Sequence, residues 1–207
     1  MKKFRFVVTA IPFVLVLVPA LTAAKKAQGP DLEQAVSASF PNLTPEWKAK
    51  VDQDETDRAC SMYRNDPPAK VAAAIVARER ASIVYPADGK YMGDWKKGEK
   101  GAQSGYGFRM RDKPDKPAGG NCYACHQLTP TEVSYGTLGP SLLGYGKIKG
   151  QSPEAQKEVY AKIYDAQAVL ACSNMPRFGH NKVLSPEHIP DFVALLLDPE
   201  SPVNKGQ

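Results

Sequence analysis

Apolar residues along this chain recur mainly at helical spacing and hardly anywhere alternate with polar ones over several positions. The pattern predicts a mainly α protein. After an apolar run at residues 6–21, the first clear signal is Thr44-Pro45-Glu46-Trp47, a threonine cap with proline at the first helical position. A helix is expected from there to about Met62, interrupted by the charges between Asp52 and Arg58, and Asn65-Asp66-Pro67-Pro68 stops it. Residues 69–84 are strongly helical in composition, with Val71, Ile75, Val76 and Ile83 as apolar positions, before the turn chemistry of Tyr85-Pro86-Ala87-Asp88-Gly89. Asp94 is placed to cap a short helix over 95–103, and Ser152-Pro153 to open one running to about Gln167. Ser185-Pro186-Glu187 opens a last helix that buries Ile189, Phe192, Val193, Leu195 and Leu196. Pro190 is awkward there because it removes an early hydrogen bond, and Asp198-Pro199 ends the helix.

The run at 6–21 follows Met1-Lys2-Lys3-Phe4-Arg5 and precedes Thr22-Ala23-Ala24, the layout of a cleavable secretory signal over residues 1–24. A retained anchor is the competing reading, but the run is shorter than the ~20 residues a spanning helix needs and holds two prolines. The expected location is the periplasm, with no membrane anchor after signal cleavage. The leader also changes the charge balance. The full chain of 207 residues has 27 Lys and Arg against 22 Asp and Glu; the leader holds three of those bases and no acid, so 24 against 22 leaves +2 instead of +5. The basic excess is mostly a targeting feature and gives no support for nucleic acid as a partner. The remaining residues divide into an N-terminal helical extension, 25–84, and a main domain, 85–207.

Cys122-Tyr123-Ala124-Cys125-His126 carries the chemistry. Two thiols three positions apart, with an imidazole directly behind, suit covalent haem attachment: each cysteine adds across one porphyrin vinyl group and the histidine binds the iron from one face. A thioredoxin-like pair is the first alternative, but Gly119-Gly120-Asn121 precedes the motif and no apolar strand does. A zinc site is the second, and it lacks a further C-x-x-C or H-x-x-x-H pair. One covalently bound haem c is the expected cofactor, and export agrees with it, because covalent haem attachment in bacteria takes place outside the cytoplasm.

The opposite face of the iron needs methionine, histidine or nothing. Downstream of the motif stands a single methionine, Met175, in Asn174-Met175-Pro176-Arg177-Phe178-Gly179, a run whose proline and glycine favour a rigid loop. A thioether in such a loop is a suitable axial partner for His126, against the plainer reading of a flexible core filler. His180 and His188 compete for the position. Gly139-Pro140-Ser141-Leu142 offers a carbonyl, that of Pro140, to orient the axial imidazole, and Leu138, Leu142 and Leu143 to cover the macrocycle edge; an ordinary turn with a buried leucine pair accounts for the same residues.

These features resemble a class I cytochrome c fold, and more specifically the SoxX family, the small cytochrome subunits of SoxAX complexes in thiosulfate oxidation. The resemblance is carried by Tyr85-Pro86-Ala87-Asp88-Gly89-Lys90, Gly93-Asp94-Trp95-Lys96-Lys97-Gly98-Glu99, Gly119-Gly120-Asn121-Cys122-Tyr123-Ala124-Cys125-His126-Gln127, Gly139-Pro140-Ser141-Leu142 and the run from Asn174 to Gly179, and it covers roughly residues 80–198. It implies a heterodimer with the larger cytochrome subunit SoxA, a SoxY-type carrier protein whose cysteine receives thiosulfate, and a downstream electron-accepting cytochrome. The implied family activity is L-cysteine S-thiosulfotransferase. Joining two sulfurs oxidatively releases two electrons, and an iron held by both His126 and Met175 has no open position for thiosulfate. Bond making is therefore expected on the partner subunit, with no catalytic residue in this chain. A free-standing electron shuttle and a haem sensor are the other functional classes. Cys60 and Cys172 remain: in an oxidising compartment they suit a disulfide tying the extension to the methionine loop, and a free reactive thiol is the alternative.

Overall fold

The structure is a computed structural model and describes residues 32–109, 111–113 and 115–205. The expected leader lies outside the described residues. Contacts divide the chain into two units, Met1–Ser39 and Phe40–Gln207. Of the first unit, one helix is described, α1 (Leu32–Ser39). The division falls inside the segment read as an extension over 25–84, so the helices of residues 45–81 share a unit with everything that follows.

Among the described residues every regular element is a helix or a helical turn, and no strand occurs. The chain is mainly α. The charges at 52–58 divide the expected long helix into α2 (Pro45–Val51) and α3 (Glu55–Met62). The division is local chemistry: the Asp54 carboxylate accepts the Asp57 N–H at 2.8 Å, so it caps a new helix instead of continuing the old one. The next helix, α4 (Ala69–Ala81), stops before the expected residue 84. Ser82 Oγ donates back to the Glu79 carbonyl at 2.8 Å, and the β-branched Ile83 and Val84 lead into Tyr85-Pro86, where extended backbone is favoured.

Helices α5 (Trp95–Gln103), α6 (Tyr145–Lys149), α7 (Pro153–Tyr164) and α8 (Ile189–Leu197) follow, with a 3-10 turn at Ala166–Ala168 where α7 was expected to continue. Asp94 caps α5 through the Lys96 N–H at 2.8 Å, and Ser152 caps α7 through the Ala155 N–H at 3.2 Å, with Pro153 at the first position. The last helix starts four residues later than expected. That start leaves Pro190 in the first turn, where its missing N–H has no intrahelical partner to lose.

The main core lies where α5 and α7 meet α8, and includes Val159, Tyr160, Ile163, Phe192, Val193 and Leu195. The α5–α8 approach is close because α5 has glycines on that side. A Cβ at Gly98 would stand 2.1 Å from the Asp191 carbonyl oxygen, and one at Gly101 2.5 Å from Cζ of Phe192. Asp191 closes the start of the contact, its carboxylate accepting the Asp94 N–H at 2.7 Å. In the same core, Tyr160 packs against Tyr85, Tyr91 and Tyr164 with centroids 5.5–6.1 Å apart, and its hydroxyl donates to the Val84 carbonyl at 2.8 Å. A second, smaller cluster holds Cys60, Ile75 and Cys172.

Candidate functional site

The C-x-x-C-H motif is positioned by the end of α5. The Gly120 N–H donates to the Gly101 carbonyl at 2.9 Å and the Asn121 N–H to the Ser104 carbonyl at 2.9 Å. Gly119 admits this approach, since a Cβ there would lie 2.0 Å from the Ser104 oxygen. Asn121 takes a left-handed conformation (φ +46°), which asparagine tolerates better than most residues, and turns the chain into the motif. Where the resemblance leads one to expect a helix carrying the motif, the structure has a single 3-10 turn, Cys122–Ala124. The Cys125 and His126 N–H groups both donate to the Cys122 carbonyl, at 3.1 and 2.9 Å, so one tight turn gathers both cysteines and the histidine. Neither cysteine is in a disulfide, and both are half-buried.

His126 is fixed from two sides. Its Nδ1 lies 2.7 Å from the Pro140 carbonyl oxygen. A carbonyl only accepts, so Nδ1 carries the proton, and in a neutral ring Nε2 is left with a free lone pair. Gly139 packs on the ring, with a virtual Cβ 2.1 Å from Cε1. The segment returns to the motif through the Gly139 N–H, which donates to the Cys125 carbonyl at 2.8 Å, and the Leu142 N–H, which donates to the Gln127 carbonyl at 2.8 Å.

A cavity opens beside this turn. Cys122, His126 and Met175 all stand on its wall, and Leu128, Leu142, Ile163, Phe178 and Leu195 are among the apolar side chains that complete it. The space these walls enclose is small, about 40 Å³, well under the roughly 300–1,000 Å³ of small-molecule and cofactor sites. Burial among these walls pushes the Cys122 thiol up to about 12, with Cys125 and Glu99 nearby adding to the effect. Cys125 and Pro140 are outside the lining, Pro140 acting through the imidazole. Leu142 lines the cavity; Leu138 and Leu143 are not on its wall, and Leu138 is 89% exposed. The two competing histidines are elsewhere. His188 Nδ1 meets Ser185 Oγ at 3.2 Å, and His180 faces a cluster of charges.

That cluster is the part of the structure that sequence reasoning missed. Arg177, 5% exposed, sends Nε to Asp165 at 3.0 Å, Nη2 to Glu79 at 2.5 Å and Nη1 to Asp54 at 2.5 Å, with Asp57 3.9 Å away. Thr56 Oγ1 donates to the other oxygen of Glu79. The available signal is an arginine set between Met175-Pro176 and Phe178, together with the run of acids at 52–57. Two burial outcomes follow from the partners. Burial raises Asp165 despite Arg177, whereas at Asp54 and Glu79 the hydrogen bonds and the guanidinium outweigh burial and hold both carboxyls below their ordinary range. Cys60 and Cys172 form a disulfide beside this cluster, with Cα atoms 5.3 Å apart.

The donor chemistry, though not the enclosed volume, suits a c-type haem: a thiol on an apolar wall, an imidazole with its free lone pair at Nε2, and a thioether. No family model matches the chain. A protein of Aquifex aeolicus (strain VF5), described as an uncharacterized lipoprotein, is 43% identical over 160 residues, 76% of this chain and 76% of that protein. The chain belongs to that protein's family. Among the described residues no helix is long and apolar enough to cross a membrane.

Proposed function

We propose that the chain is a monohaem c-type cytochrome, exported, that serves as the electron-accepting subunit of a SoxAX-like sulfur-oxidation complex in the periplasm. The observation that carries the haem reading is the joint presence of Cys122, His126 and Met175 on one apolar cavity wall, although 53 residues separate the first from the last. Cys122 and Cys125 would hold the group covalently, and His126 and Met175 would bind its iron. When bound, it would supply one-electron chemistry at an apolar site. The chain's own residues do the rest. Pro140 keeps the proton on Nδ1 of His126 and thereby Nε2 free; Gly139 leaves room for the ring; the leucine and phenylalanine walls exclude water; the methionine loop presents its thioether.

The class I fold is supported by the α5–α8 contact, which sits directly behind the motif, and by the proline and methionine segments meeting across the cavity. The sulfur-oxidation role rests on the sequence resemblance. The description of the Aquifex relative as a lipoprotein agrees with export, the one element of it carried over here. The test is to secrete the protein from a host competent in haem attachment, then measure intact mass and visible spectrum. The expected product is coloured, heavier by one haem, low-spin, and shows the weak red band that reports sulfur–iron bonding. A colourless product with no added mass overturns the haem reading. Co-purification of a larger cytochrome supports the complex, and a lone monomer that exchanges electrons freely supports a shuttle instead.

A further inference from the structure

The segment that carries Met175 has little hydrogen bonding of its own. Between Cys172 and Arg177 the bonds in hand are Ser173 N–H to the Leu170 carbonyl (3.2 Å), Met175 N–H to Ser173 Oγ (3.3 Å) and a long side-chain contact from Asn65 to Asn174 (3.4 Å). A strand of chain so thinly bonded takes its position from its ends. Both ends are anchored on the same pair of helices. Three residues before Met175, Cys172 is bonded to Cys60 of α3, in the apolar cluster that includes Ile75 of α4. Two residues after Met175, the Arg177 guanidinium reaches Asp54, the cap of α3, and Glu79, in the last turn of α4, while its Nε holds Asp165 at the end of α7. Nothing in the cavity uses Arg177: it is absent from the wall, and its charge is met by carboxylates on the other side.

We propose that α3 and α4 act as a two-point clamp on the methionine loop, with Arg177 and the Cys60–Cys172 bridge as positioning residues that hold the Met175 thioether against the cavity. The proposal rests on the reading of Met175 as an iron ligand. It gives the helices of residues 55–81 a role that the C-x-x-C-H motif alone does not explain. A planar guanidinium meeting three carboxylates from three elements has one orientation, which a single ammonium cannot reproduce, and the bridge removes the remaining freedom at the other end.

The experiment uses the purified, haem-loaded, ferric protein. The unmodified chain is compared with Arg177→Gln, Arg177→Lys and the double variant Cys60→Ser/Cys172→Ser. Three quantities are read: the weak red band, the pH at which it disappears on alkaline titration, and hydrogen exchange of the peptide over residues 170–180. In Arg177→Gln and in the double variant the alkaline midpoint is expected to fall by about one pH unit, the shift that a tenfold weaker hold on the ligand gives. Exchange of the loop peptide is expected to rise about tenfold, with far-UV helix content and the mass of attached haem unchanged. Arg177→Lys recovers part of the shift. If Arg177→Gln does not fold, Arg177→Lys and Asp54→Asn carry the same comparison. A lowered melting temperature with the alkaline midpoint and loop exchange unmoved overturns the clamp and leaves these residues purely structural. Absence of the red band from the unmodified, haem-loaded protein overturns instead the ligand reading on which the clamp depends.

Discussion

A methyl group added at Gly139 would have to share space with an imidazole that cannot move aside. Its Cβ would lie 2.1 Å from Cε1 and 2.5 Å from Nδ1 of His126, and that nitrogen is already committed to the Pro140 carbonyl at 2.7 Å. The ring is therefore unlike the free end of a flexible side chain. Gly139→Ala is expected to lower stability by about 1–3 kcal/mol, as overpacking does, and to tilt or expel the ring; urea unfolding measures the first effect and, on the proposed haem reading, the visible spectrum the second. Residues of this kind were partly legible. Cys122, His126, Met175 and Pro140 are recognised by type and spacing, because thiols, an imidazole, a thioether and a proline carbonyl each have few chemical uses. In the sequence Gly139 reads only as part of a turn, and Arg177 only as part of a loop. Their roles depend on what lies opposite, at sequence distances of 13 residues for the glycine and 98 for the Arg177–Glu79 pair.

At the scale of elements, the close packing of α5 on α8 outweighs helix propensity. Gly98→Ala would ordinarily gain about 1 kcal/mol in a helix interior. Here the new Cβ meets the Asp191 backbone oxygen at 2.1 Å, and a main-chain atom within a second helix does not yield. The overpacking cost of about 1–3 kcal/mol is expected to win, so the variant unfolds at lower urea and loses contact behind the motif. The helix starts were legible because capping is local: Thr44, Asp94 and Ser152 each accept a backbone N–H two or three residues on. The α5–α8 crossing was not, since Trp95-Lys96-Lys97-Gly98-Glu99-Lys100-Gly101 reads as a weak, highly charged helix until its partner is known. The break between α2 and α3 lies between these cases. The charges signalled an interruption, but two aspartates within three positions had to be seen as an end and a new cap.

For the whole molecule, the charged cluster predicts a pH dependence. It is faced by Asp54 and Asp57 from the start of α3, Glu79 and Arg78 from α4, Asp165 from the end of α7, and His180 from the loop, with Glu55 paired to Arg78. At Asp54 burial opposes ionisation but the Asp57 N–H and Arg177 overcome it; at Glu79 the Thr56 hydroxyl and Arg177 do the same. Both folded-state values are depressed, so the stability they contribute is fully present above the ordinary carboxylate range and is lost as pH falls below about 4. Asp165, raised by burial, works in the opposite sense, contributing at low pH and losing that contribution as pH climbs through its folded value. Asp57, raised by burial and by Asp54 beside it, acts in the same sense as Asp165, so two groups oppose two; the acid loss is read in Glu79→Gln, where the gap between the urea midpoints at pH 6 and pH 3 is expected to shrink. An unchanged gap would remove Glu79 as a source of acid sensitivity.

The Cys60–Cys172 bond spans 112 positions and so makes a covalent ring that encloses Cys122, Cys125 and His126. Arg111 lies on the exposed stretch of that ring. A protease cut beside it opens the ring without releasing a piece. The nicked protein is expected to migrate as one species on a non-reducing gel, and to part into two polypeptides only when a thiol reductant is added.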